Sequence, residues 1–146
     1  MTHGSSLMEG NWHGNDTLWR TILDLNNVIF LADKNGKMKN TQQRKYLSII
    51  DGIIGMEKEG PMHGFPKKAG LIIAGTNPIY TDYISTYLMG IDPKKIKYIK
   101  ESLNANSGIF NNLRAEDIKV VSNFEWVNFN KKFIPSKGWI GYCERS

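Results

Sequence analysis

Cysteine is almost missing from this sequence: Cys143 is the one thiol in 146 residues. A disulfide framework, a cysteine zinc site and an iron–sulfur cluster each need several thiols, so none is expected within this chain. The count suits a reducing compartment. Long hydrophobic runs are missing too, and no apolar stretch approaches the roughly 18 residues that a membrane span requires. Residues 1–10 are polar and glycine-rich with no apolar centre, so they show no secretory signal and read as a flexible lead. The expected setting is cytoplasmic, with no membrane partner. Arginine is sparse and scattered, at Arg20, Arg44, Arg114 and Arg145. A nucleic-acid binder concentrates its basic residues on one face, so the net charge of +5 reads as a solvated basic surface and nucleic acid is not the expected partner. Two catalytic signatures are absent as well. There is no GxxxxGK[ST] phosphate loop and no GxSxG nucleophile elbow, and Cys143 has no histidine near it in sequence.

What is present is globular. Hydrophobic residues make up 40% of the chain and charged residues 23%, with four Trp, six Tyr and six Phe to fill a core. The length fits one domain, a single unit over residues 1–146. A first helix is expected from about Asp16, because Leu18, Trp19, Ile22, Leu23, Leu25, Val28, Ile29 and Leu31 recur at helical spacing. Asn15 or Asp16 can cap it, and DKNG at 33–36 ends it, with 28–31 readable instead as a short strand. Residues 46–54 form a β-branched run, and GLIIAG at 70–75 a second one; both read as strands buried on both faces. Residues 55–70, with four glycines and two prolines, read as a long loop. Asn77-Pro78 opens a helix that Gly90 stops, and Asp92-Pro93 opens another through about Leu103. A strand is expected at 118–122, before an aromatic tail. The fold class that follows is α/β, a small mixed or parallel sheet with flanking helices. Three strands are few for such a domain, so part of the sheet is expected to be absent.

Three segments carry a family resemblance: GNWHGNDTLWRTILDLN at 10–26, YLSIIDGIIGMEKEGPMHG at 46–64, and GLIIAGTNPIYTDYISTYLMGIDPKKI at 70–96. Their order and spacing resemble the bacterial and archaeal family called domain of unknown function three-six-two. In longer members such motifs stand in the C-terminal half, which implies that this chain corresponds to that half, as a fragment or a shortened relative. Some members carry ferredoxin-like cysteine motifs, and nothing here matches those. Where members read EGxGP, this chain has Lys58 in place of a glycine, in Glu57-Lys58-Glu59-Gly60-Pro61. The resemblance implies no particular chemistry.

The residues themselves offer three candidate sites. Asp51, Glu57, Glu59 and His63 fall among glycines within thirteen positions. Carboxylates with an imidazole suit Mg²⁺, Mn²⁺ or Zn²⁺, so Asp51, Glu57 and Glu59 are the candidate ligands of a divalent metal. The plainer reading makes Asp51-Gly52 a bulge and leaves the two glutamates solvated. Asn11, His13, Asn15 and Asp16 precede a helix, where unpaired amides favour an anion. His13 and His63 are the candidate proton-transfer groups, against plain capping by Asn15 or Asp16. Thr76, Asn77 and Asp82 follow a strand end, where open α/β sheets bind ligands, although caps and a helix-dipole charge explain them equally. If the three segments meet at one edge, they make a small-molecule enzyme domain that binds an anionic ligand with or without a divalent metal. The alternative is a non-catalytic binding or interaction module that self-associates or pairs with a missing N-terminal half.

Overall fold

The computed structural model describes residues 12–145. The expected flexible lead, 1–10, and the candidate Asn11 lie outside the described residues. Helix α1 spans Leu18–Leu31. Its start is satisfied by Asn15, whose Oδ1 accepts from the backbone N–H groups of Thr17 at 3.1 Å and Leu18 at 2.9 Å. Its end is covered by Arg44, whose guanidinium donates to the carbonyls of Ile29 and, at 2.6 Å, of Ala32. Residues 28–31 are thus helix, and the turn at 33–36 closes on Asp33 Oδ1, which accepts from Asn35 and Lys37.

Strands β1 (Ser48–Glu59) and β2 (His63–Gly75) form one long hairpin. The expected small α/β unit is there. Its two strands run antiparallel because a three-residue connection leaves no room for a parallel crossover. The long loop expected over 55–70 is strand apart from residues 60–62, so that expectation is corrected. Glycine and proline were read as punctuation, yet both strands of a two-stranded sheet are edges. Pro66, opposite Met56, can therefore sit where its missing N–H faces outward. Glycine serves close approach here: a Cβ on Gly55 would lie 3.0 Å from the Phe133 ring, and one on Gly75 would strike Thr81 Oγ1.

Burial alternates along β1. Inward residues meet helix α2 (Pro78–Met89) and the tail, while the outward Ile49, Ile54 and Ile72 stay exposed. The reading of both strands as buried on two faces is therefore corrected. Alternation breaks once, where the register shifts between Gly52 and Ile54 and both Ile53 and Ile54 become exposed.

Helix α2 matches its sequence signals. Asn77 accepts from the Tyr80 N–H at 3.1 Å, Pro78 opens the first turn, and Gly90 at φ 89° closes the last. The helix expected after Asp92-Pro93 is split into a 3₁₀ turn, Pro93–Lys95, and helix α3, Lys97–Asn104, with extended Ile96 between them. Residues 118–122 form no strand, since no described edge pairs with them; that expectation is corrected too. The core is built from Ile79, Ile84 and Leu88 of α2, Ile99 of α3, and Phe110, Phe133 and Cys143 from irregular segments. It lies under one face of the hairpin, and the other face stays open.

Candidate functional site

The hairpin tip and the tail assemble the most polar junction of the fold. Glu57 Oε2 accepts from the Ile134 N–H at 3.1 Å and faces Lys67 Nζ at 3.3 Å. Glu59 Oε1 accepts from the Lys137 N–H at 2.7 Å. Between them, the Lys58 N–H donates to the Ile134 carbonyl at 2.8 Å. The tail is thus strapped to the free edge of β1, and Phe133 is buried beneath the strap. The Ile134 N–H, followed by Lys67, holds the Glu57 carboxyl below the usual carboxylate range. Both glutamates are half-buried, and each satisfies a backbone donor of the tail.

Asp51 stands apart from them. It lies six residues up the strand from Glu57, about 20 Å at ~3.4 Å per residue, and its Oδ1 accepts from the Ile53 N–H at 3.1 Å. His63 lies opposite Glu59 in the register, exposed at the tip. Among the described residues no three His, Cys, Asp or Glu side chains group closely enough to hold a metal ion.

The segment before α1 meets the same tail. His13 Nδ1 donates to the Gly138 carbonyl at 2.9 Å, one residue beyond the Glu59 partner. Its ring stacks on Tyr142 at 4.3 Å and meets Trp12 and Trp139 edge-on. Asp16 accepts from Trp19 Nε1 at 3.1 Å and pairs with Arg20 at 3.0 Å and Lys97 at 2.9 Å. The Lys97 hydrogen bond, then that of Trp19, lowers its carboxyl to about 2. These residues bind one another and the tail.

The third segment lies at the far end of the hairpin, about 40 Å from the tip by the length of β2. The three segments therefore do not meet at one edge. Thr76 and Asn77 border a cavity of about 540 Å³ between the end of β2, α2 and residues 118–126, with Leu71, Ile84 and Trp126 among its apolar walls. Asp82 points elsewhere. Its Oδ2 accepts from the Tyr98 hydroxyl at 3.1 Å, tying α2 to α3. Burial raises the Asp82 carboxyl above its usual range and, with the nearby carboxylate, raises Tyr98 further. Sequence reasoning missed Tyr98 and the strap of 133–138. The strap uses backbone donors that leave no residue-type signal.

Comparison with known proteins agrees with the resemblance in its family and limits its extent. The profile of the family described as Domain of unknown function (DUF362) matches residues 2–87. This is the N-terminal part of the chain. It holds the first two of the three motif segments and the third as far as residue 87, while 88–146 lie beyond it. A "Thylakoid-associated protein" of Synechocystis sp. is 42% identical over 50 residues, covering 34% of this chain and 16% of that protein. No solved structure matches the chain. Among the described residues no helix is long and apolar enough to cross a membrane. A profile match across residues 2–87, more than half of the length, makes this chain a member of the DUF362 family.

Proposed function

We propose that this chain is an interaction module whose hairpin presents an apolar face to another polypeptide. The observation that carries this is the open side of the sheet. Ile49 and Ile72 are each 68% exposed and Ile54 is 62% exposed, with Met56 and Ile53 beside them. Apolar side chains at alternate strand positions mark a face built to be covered.

The candidate proton-transfer and metal groups favour this reading by their employment. His13, Glu57 and Glu59 hold the tail, Asn15 caps a helix, and Asp16 joins α1 to Lys97. A cytoplasmic setting remains our expectation, since the one thiol is buried and needs no oxidising compartment.

The test is a double variant, Ile49→Lys with Ile72→Lys. Both positions are exposed in the single chain, so the melting temperature should stay within about 3 °C while a hydrophobic dye bound by the native protein is lost. A fall of more than about 8 °C would place these side chains inside the monomer's own core and end the proposal.

One observation favours a second reading, a small anionic ligand. The 540 Å³ cavity has the size of a ligand site, apolar walls with Thr76 and Asn77 at its border, and Lys119 in its lining to attract negative charge. Unfolding curves with and without phosphate decide it: a raised midpoint that Asn77→Ala abolishes supports a site there, and no shift at millimolar phosphate removes it.

A further inference from the structure

We propose that the cover of the open sheet face is the same face of a second copy of this chain, related by a two-fold axis that crosses the strands at the register shift between Gly52 and Ile54. The proposal rests on the interaction reading above and names its partner.

The register makes the face self-complementary. Along β1 the paired outward positions flanking the shift are Ile49, Asp51, Ile54 and Met56, with Ile53 unpaired at the shift and Lys58 beyond them; opposite the four on β2 stand Ala74, Ile72, Lys68 and Pro66. A two-fold axis across the strands lays each strand antiparallel over its own copy. Ile49 then lies over Met56 of the second copy, and Ala74 over its Pro66. Asp51 comes over Ile54 of the second copy, next to that copy's Lys68.

Charge supports this pairing. Asp51 accepts one hydrogen bond, from its neighbour Ile53, and Lys68 is in no ion pair among the described residues. Each is the lone charge among the four outward positions of its strand about the axis. The symmetry pairs them twice, so an isologous contact gains two complementary charge pairs with no second surface required. Off the axis, a shift by two residues would place Asp51 over apolar side chains.

Size supports it as well. A ribbon whose first strand has twelve residues spans about 40 Å, and packed sheets stand roughly 10 Å apart, near enough for a lysine to cross. One side of a standard interface buries about 800 Å². The apolar side chains on and beside this face, Ile49, Ile53, Ile54, Met56 and Ile72, are each about half to two-thirds exposed and are what such a contact would bury.

Sedimentation velocity with the full chain between 1 and about 100 μM tests this, using wild type, Asp51→Lys, Lys68→Asp, the double swap, and an equimolar mixture of the single swaps. The proposal expects a wild-type dimer, a dissociation constant raised about tenfold or more by each single swap, and recovery to within about threefold in the double swap and in the mixture. A dimer indifferent to all swaps overturns this arrangement. A wild-type monomer at the highest concentration also overturns it. If that monomer still binds the hydrophobic dye, and Ile72→Lys abolishes the binding, the interaction surface stands and its partner is a different polypeptide. If it binds no dye, the interaction reading falls with the dimer.

Discussion

Gly55→Ala is the sharpest probe of how the tail is held. The added Cβ would sit 3.0 Å from Cε1 and Cζ of Phe133, closer than packed carbons tolerate. Phe133 is 7% exposed, and its backbone is fixed by an N–H bond to the Met89 carbonyl at 2.8 Å, so the ring has little room to retreat. Overpacking of this kind costs about 1–3 kcal/mol, offset by roughly 0.5–1 kcal/mol from replacing a strand glycine. A net loss of about 1–2 kcal/mol is expected. Phe133→Ala alone should cost about 3–5 kcal/mol, by lost burial and the cavity left behind. In the double variant the ring is gone and the new methyl fills part of its space, so the two losses should fall short of their sum by about 1–2 kcal/mol. Urea unfolding of the four proteins measures this, with amide exchange at Ile134 as an independent report on the strap. Strict additivity within about 0.3 kcal/mol, or a Gly55→Ala protein as stable as wild type, would refute the reasoning.

Two further outcomes follow from the titrating groups. The Glu57 carboxyl is held low by the Ile134 N–H and then by Lys67, so its contribution is full above its unfolded value and is lost as pH falls through the lower, folded one. Glu57→Gln should cost about 1 kcal/mol at neutral pH and flatten the acid side of a stability–pH curve; a curve parallel to wild type counts against the strap. Asp82 behaves oppositely. Burial raises its folded value, so it weighs against stability as pH rises past its unfolded value, and the Tyr98 hydroxyl relieves part of that. Tyr98→Phe should therefore cost about 1–3 kcal/mol near neutrality and much less near pH 3. Equal cost at both pH values would show that the hydroxyl acts through packing alone.

Local chemistry was legible in this sequence, and long-range partnership was not. Asn77-Pro78 and Gly90 bounded α2 because caps act over three or four residues. Of Asn15 and Asp16, the two candidate caps, Asn15 accepts from the Leu18 N–H, although Thr17 is the residue at the N-cap position. The hairpin was misread because its glycines answer to Phe133 and Thr81, which lie far away in sequence. Ile49, Asp51 and Ile53 alternate with Ile50 and Gly52, a period-two signal that the apolar richness of the run masks, so a half-open strand resembles one buried on both faces. Residues 118–122 have strand composition, yet composition supplies no partner edge. The polar residues are employed locally or by distant partners: Glu57, Glu59 and His13 by the tail, Asp82 by Tyr98, Asn77 by Tyr80 and Asp51 by Ile53.

The strap also sets an order of events. The hairpin closes through a three-residue turn, so it can form as soon as its own residues exist. Helix α2 can cover the base of the hairpin's inward face early, but the tip end is covered only when Phe133 and Ile134 arrive, and the bond from Ile134 to Glu57 spans 77 positions. Closing a loop of that length costs on the order of 4 kcal/mol in chain entropy, and on a ribosome adding 5–20 residues per second it waits several seconds for the tail to be made. During that interval the tip half of the ribbon is bare on both sides, with two unpaired edges. The nascent chain therefore passes through its most adhesive state before the last fifth of its sequence exists, and the demand it places on holding factors should track translation speed across residues 76–133.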